Sequence, residues 1–302
     1  NEVQVSYNYG NATSQVQMLN THLLHQADFT GAGKIIAVLD SGFLGVDTAT
    51  PFQRLFSNNL ILGGYNYVAQ SSNVFDLHNH GTMVLSAMGA FSDGQLIGTA
   101  PNAQYYLYVT EDVSEENPVE ESYWVEAAEE ADRMGADIIT SSLGYFQYDN
   151  PNYSHTYATM TGDAAFASKG VNIAFSKGIV VVVSAGNSGN STEPHVGVPA
   201  EATHALAVGA VDSAEFRANF SSIGPSFDGR IKPDVMALGV GSAVSTPQGD
   251  FIYVNGTSLS CPILSGSIAC LWAAVPQLTN QQVVDLVKQS TDRYSNPNNQ
   301  YG

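Results

Sequence analysis

Along the chain, short apolar runs that end in small or turn-forming residues alternate with stretches of helical spacing. The apolar runs are Lys34–Leu39, Ala103–Val109, Ala136–Leu143, Gly178–Ser184 and Ala205–Val211. A strand buried on both faces has no need of polar alternation, so near-continuous runs separated by helices predict a parallel sheet covered on both sides. The clearest helix between them runs from Pro118 to Met134. Asn117 is placed to cap it, Pro118 suits its first turn, Glu120 and Glu121 face the positive end of its dipole, and Gly135 follows as a stop. Val119, Tyr123, Ala127 and Ala131 form its apolar stripe and predict the face that packs on the sheet. A last helix opens at Thr279, where Gln282 completes a capping box, and carries Val283, Val284, Leu286 and Val287. The segment Tyr145–Thr161, rich in Tyr, Asn and Pro, reads as a long surface loop, and loops of that length are usually functional or mobile.

No internal repeat or linker interrupts this alternation before the Asn-rich stretch Ser295–Gln300. The expectation is therefore an α/β fold, doubly wound, with a mostly parallel central sheet and helices on both faces, in a single domain over residues 1–302. The 302 residues, 44% hydrophobic, supply enough apolar surface for such a core. Charge then narrows the partners. With 28 acids against 10 bases the net charge is −18, which argues against nucleic acid or an anionic membrane surface. The longest aliphatic run, Ile179–Val183, is far short of the roughly twenty residues a membrane span needs, so no span is expected. Cys261 and Cys270 fall in one apparent helix, about 13 Å apart along its axis at the helical rise, and on opposite faces. They cannot bridge each other there, and both read as small buried thiols.

Four short segments carry chemistry, each at the end of a regular element. Asp40-Ser41-Gly42 follows the strand Ile35–Leu39, where open α/β sheets place their sites. His80-Gly81-Thr82 opens a helix, with His78 in the same loop as a competing imidazole. Ser184-Ala-Gly-Asn187-Ser-Gly189 ends another strand, and its glycines let the backbone turn so that the Asn187 amide projects as a donor. Val254-Asn-Gly-Thr-Ser258 leads into a helix running through Leu271, whose free N–H groups and dipole favour developing negative charge at Ser258. Pro262 falls where the first turn tolerates it, and Gly266, Ser267 and Ala269 allow close packing. Alone, each segment also has a plain reading as a turn or a cap. Together they supply an acid, a base, a nucleophile and an oxyanion donor, in one of the chain orders known for that triad.

With "IAVLDSGF", "HNHGTMV", "GTAPNAQYYLYV", "ADIITSSLG", "VVVVSAGNSG", "ALAVGAVDS", "FSSIGPSFDGRIKPDVMALG" and "NGTSLSCP" in order, the chain resembles the subtilisin-like serine proteases over nearly its whole length. The resemblance implies the doubly wound fold and a serine endopeptidase. It selects His80 over His78 as base, with Asp40 orienting it, Ser258 attacking, and the Asn187 amide and the Ser258 backbone N–H stabilising the oxyanion. It further implies that Ser142, Leu143 and Gly144 pair with the substrate backbone. Ala185, Gly186 and Gly197 would line the pocket for the residue before the cut, with an apolar or aromatic preference. No cofactor is expected for catalysis. The loop Phe91–Gln95 is too short and poor in oxygen ligands for the family's usual calcium loop, and a structural calcium elsewhere is an expectation without a site. The implied partners are protein or peptide substrates and the enzyme's own pro-peptide, in a secreted monomer matured before Asn1. Two other readings compete: a non-catalytic binding or adhesion protein of the same fold, and a serine esterase with the same triad.

Between Leu55 and Asp132 there are twelve acids and no Lys or Arg. A charge run of this kind is usually a solvated face. The sharper expectation is that Glu111–Glu116 border the substrate and favour a basic residue two to four positions before the cut.

Overall fold

Seven strands pair wholly in parallel in the computed structural model, which describes residues 6–302. In chain order the elements are α1 (Thr13–Met18), α2 (Thr21–Gln26), β1 (Ile35–Asp40), α3 (Gln53–Ser57), β2 (Ile61–Asn66), α4 (His80–Gly89), β3 (Phe91–Ser92), β4 (Leu96–Ile97), β5 (Gln104–Val109) and α5 (Val119–Arg133). There follow β6 (Ile138–Ser141), α6 (Phe166–Ser176), β7 (Val180–Ser184), β8 (Leu206–Val211), β9 (Val235–Leu238), β10 (Ser242–Ser245), β11 (Phe251–Val254), α7 (Thr257–Ala274) and α8 (Asn280–Gln289). The main sheet runs β2-β5-β1-β6-β7-β8-β9, while β10–β11 and β3–β4 are separate antiparallel hairpins.

The five apolar runs are five of these strands: β1 is shifted one residue to end on Asp40, and the others are shortened by one to four residues where polar or small residues lead in or out. Alternate residues feed two cores. Ile36, Val38, Val180 and Val182 face α4, α7 and α8, whereas Ala37, Leu39, Val181 and Val183 face α5 and α6. Burial on both faces is the physical reason the strands read as continuous apolar runs. β5 and β2 lie to one side of β1 and β6 to the other, so the winding reverses beside β1. Leu39 pairs with Ser141 there, and the carboxyl ends of β1 and β6 open on the crevice where such sheets bind ligands.

The helix expectations hold with corrections. α5 starts one residue later than Pro118, and Asn117 does cap it, its side chain accepting the Val119 N–H at 3.2 Å. Glu120 returns the bond by accepting the Asn117 N–H at 3.2 Å, so its carboxylate serves a capping box as well as the dipole. The buried stripe is centred on Trp124, Ala127, Ala128 and Ala131, and Val119 is 40% exposed, because the helix rolls to seat the indole against Ser141 at 2.9 Å. Thr279 and Gln282 form the expected capping box of α8. In α7, Pro262 is the sixth residue and lies beyond the first turn. Lacking an N–H, it cannot serve the Ser258 carbonyl four residues back. The Ser142 hydroxyl donates to that carbonyl instead, at 2.9 Å, and ties the start of α7 to the end of β6.

α7 is the one helix among the described residues long and apolar enough to cross a membrane, and it is 78% buried inside the protein as its central helix. The segment Tyr145–Thr161 lies largely on the surface, yet it is clamped. Glu121 of α5 accepts from the Tyr148 hydroxyl at 2.8 Å, His155 Nε2 at 2.7 Å and the Ala167 N–H at 2.9 Å. These bonds hold the Glu121 carboxylate below its ordinary range although burial pushes the other way.

Candidate active site

β1 delivers Asp40 to the crevice floor, fully buried, and α4 begins with His80. His80 Nδ1 donates to Asp40 Oδ1 at 2.8 Å. The carboxylate raises the imidazole's pKa above its ordinary value, with burial opposing it and the hydrogen bond adding to it. A proton on Nδ1 leaves the Nε2 lone pair free to act as a base.

Ser258 is the second residue of α7. Its N–H lies in the first turn, without an intrahelical acceptor by position. Its hydroxyl donates to the Ser142 carbonyl at a long 3.4 Å and makes no hydrogen bond to His80 in this geometry. Asn187 lies on the turn after β7. Its Oδ1 accepts both the Thr257 N–H and the Thr257 hydroxyl, each at 3.0 Å, which fixes the carboxamide and leaves its NH₂ outward. A Cβ added at Gly256 would stand 3.9 Å from Asn187 Nδ2 and 3.7 Å from the Ser258 nitrogen. Glycine there leaves the space beside both nitrogens free of a side chain.

Ser142, Leu143, Gly144, Ala185, Gly186 and Gly197 all line a single cleft of about 580 Å³, together with Asn187 and Ser258. Gly186 takes φ +100°, which only glycine adopts readily, whereas Gly189 is needed for closeness: a Cβ there would meet the Ser221 carbonyl at 2.1 Å. The walls are neutral as expected, but Glu116, Glu193 and His195 also line the cleft. Of the acids Glu111–Glu116, the first turns inward: Glu111 accepts from the Tyr145 hydroxyl at 2.6 Å and the Thr110 hydroxyl at 3.2 Å. Burial and the neighbouring Glu120 push the Glu111 carboxyl well above the usual range, while its hydrogen bonds to Tyr145 and Thr110 pull the other way. Glu120 itself is pushed by burial to about 7. The acid of that segment that faces the cleft is Glu116.

Three supporting contacts, made by Thr257, Ser142 and Ser41, were not foreseen from the sequence. Thr257 orients Asn187 and also accepts the Gly186 N–H at 3.2 Å. Ser142 holds the start of α7, and Ser41 gives Asp40 Oδ1 its N–H at 2.8 Å and its hydroxyl at 3.2 Å. A hydroxyl residue adjacent to each candidate was the only signal, and such residues are common in any turn.

Both cysteines are free and buried. Cys261 Sγ lies against the carbonyls of Ser141 at 3.6 Å and Val182 at 3.5 Å, and burial pushes its thiol up to about 11. Thiolate is the reactive form. Iodoacetamide at pH 8 should therefore leave native protein unlabelled by mass and fully active, with both thiols reacting only after denaturation.

The residues around Phe91–Gln95 do not fit a calcium ion. Asp93 Oδ1 accepts the Asn8 N–H at 3.2 Å and the Gln95 carbonyl accepts the Asn11 N–H at 2.8 Å, so the chain's own N-terminal segment uses those oxygens. Among the described residues, no group of three or more His, Cys, Asp or Glu side chains is placed to hold a metal ion.

A model of the subtilase family matches residues 31–302. The chain is 32% identical over 290 residues to subtilisin of Bacillus pumilus, covering 95% of this chain and 94% of that one. It is also 32% identical to subtilisin NAT of Bacillus subtilis subsp. natto, over 95% of this chain and 68% of that one. Among solved structures, MycP1 from the ESX-1 type VII secretion system shares the fold with a TM-score of 0.72 at 21% identity, over 99% of this chain and 88% of that one. The strand order, the matched length and these relatives agree, and the chain belongs to the subtilase family of serine endopeptidases, which need no cofactor for catalysis.

Proposed function

We propose that this endopeptidase cuts peptide bonds through Asp40, His80 and Ser258, with Asn187 and the Ser258 N–H as oxyanion donors. The observation that carries the reading is the 2.8 Å contact between His80 Nδ1 and Asp40, with His80 opening α4, the helix that packs against α7 and its Ser258. A substrate strand laid along Ser142–Gly144 brings its carbonyl carbon to Ser258 Oγ. The hydroxyl leaves the Ser142 carbonyl, hands its proton to His80 Nε2 and attacks, while Asp40 steadies the imidazolium. The carbonyl oxygen becomes an oxyanion in the space that Gly256 keeps open, where Asn187 Nδ2 and the Ser258 N–H meet it. His80 then protonates the leaving amine, and water repeats the cycle on the acyl-enzyme.

The neutral walls at Ala185, Gly186 and Gly197 support an apolar or aromatic residue before the cut. Glu116, at the cleft's edge, supports a basic residue further upstream. A peptide library profiled at low and high salt tests both. The expected result is a large apolar residue at the cut and a Lys or Arg preference upstream that weakens in salt and in Glu116→Gln. A flat upstream profile would remove Glu116 from the reading. Casein turnover well above that of short acyl esters is the result expected of a protease; the reverse would favour the esterase, and neither turnover nor labelling by a fluorophosphonate would favour a binding protein. Family membership also supports a secreted monomer inhibited by its own pro-peptide until maturation, and one structure of the related MycP1 is of a form with its N-terminal propeptide removed.

A further inference from the structure

Two histidines address the same carboxylate oxygen. His80 reaches Asp40 Oδ1 directly at 2.8 Å, and His78 reaches it through Ser41, whose Oγ is 2.9 Å from His78 Nδ1 and 3.2 Å from Asp40 Oδ1. The two imidazoles lie nearly parallel, 16° apart, with centroids separated by 6.4 Å. His78 is an exposed loop residue, but its backbone is not free to wander. Leu44 donates to the His78 carbonyl at 3.2 Å, Phe43 to Val74 at 2.9 Å and Gly45 to Phe75 at 3.4 Å, so the loop is laced to the turn that follows Asp40. Leu77, immediately before it, is held at φ +69°, a conformation residues with side chains adopt only when their surroundings impose it.

The hydroxyl of Ser41 has one proton and two claimants. When His78 carries a proton on Nδ1 it donates to Ser41 Oγ, and the Ser41 proton must then point at Asp40. When His78 Nδ1 is bare, it accepts the Ser41 proton, and Asp40 loses one of three donors. A proton on His78 Nδ1 therefore turns the Ser41 hydroxyl to Asp40. We propose that His78 is a positioning residue that acts through Ser41 on Asp40, the carboxylate that holds His80. This rests on the triad reading above.

The other charged groups around this chain of contacts are accounted for. Asp76 on the same loop is turned to Asn73 at 2.7 Å, and Glu111, beyond the end of β5, is bonded to the Tyr145 hydroxyl, with its carboxyl pushed well above the usual range by burial.

The test compares His78→Ala, His78→Asn, Ser41→Ala and the double variant His78→Ala/Ser41→Ala on a chromogenic peptide across pH 5–9, with fluorophosphonate labelling in parallel. His78→Ala should lower kcat by about fivefold, the worth of one hydrogen bond, and leave KM in place. Asparagine sets an N–H where Nδ1 stood, so His78→Asn should recover most of the rate. In the Ser41→Ala background, His78→Ala should cost no further rate. A change confined to KM, or a rate loss that persists without Ser41, overturns the proposal. Wild-type protein that neither labels nor cuts would instead overturn the triad reading itself.

Discussion

Replacing Ser258 by alanine should lower kcat by on the order of 10⁶, the scale established for subtilisin, a relative of this chain and the reference case for that figure. The loss is so large because no neighbour can stand in. Thr257 Oγ1 is committed to Asn187 at 3.0 Å and Gly186 at 3.2 Å, and Ser142 Oγ to the Ser258 carbonyl at 2.9 Å. Ser260 and Cys261 are buried on the far side of the helix start, and the Cys261 thiol, pushed up to about 11, holds its proton. What survives is binding and the two oxyanion donors, which lose the attacking group but keep their positions. KM should change little, and a fluorophosphonate that marks wild-type protein one-to-one by mass should leave Ser258→Ala unmarked. Labelling that persisted in the variant would place the nucleophile elsewhere.

Replacing Asp40 by alanine should cost on the order of 10⁴ in kcat, again a figure whose reference case is subtilisin. The physical cause is twofold. The 2.8 Å bond to Nδ1 selects the tautomer with Nε2 bare, and the carboxylate stabilises the imidazolium formed when His80 takes the Ser258 proton. The pH dependence has a definite sign. Asp40 raises the His80 pKa, and on the proposed mechanism the neutral imidazole is the base, so wild-type activity should fall as pH drops through that raised value. Without Asp40 the acid limb moves to lower pH while the plateau collapses. Stability follows the same linkage. A histidine whose folded pKa is raised adds stability below its unfolded pKa and loses it as pH rises through the folded one, so Asp40→Ala should cost more at pH 5 than at pH 9. A kcat–pH profile and thermal melts at those two pH values check both statements. An unmoved or raised acid limb would mean that Asp40 does not set the His80 pKa.

Much of this was legible in the chain because the physics is local. The parallel core strands announce themselves because residues buried on both faces must all be apolar, and Thr279 with Gln282 announces α8 because a cap is settled within four residues. The edge strands β2 and β9 were not legible. β2 contains Gly63 and Gly64 and is only half-buried, and β9 is an apolar run of just four residues, so neither stands out as a core strand. The acids of α5 misled for a related reason. Glu120 and Glu121 read as a charged first turn, yet both are buried, because each finds specific donors that no local pattern reveals.

Sequence alone determined the fold class, and it proposed the four chemical positions and, by resemblance, His80 rather than His78 as the base. Each depends on a residue type at the end of a periodic element, which a linear pattern can encode. Only the tertiary structure decided how those positions are held. Thr257 sets Asn187 across 70 residues, Ser142 replaces the bond that Pro262 removes from Ser258, and Ser41 joins His78 to Asp40. The inward turn of Glu111 toward Tyr145, which leaves Glu116 at the cleft, is of the same kind. A hydrogen bond between distant residues leaves no periodic trace, since a serine or threonine that orients a catalytic group has the same composition as one that merely turns the chain.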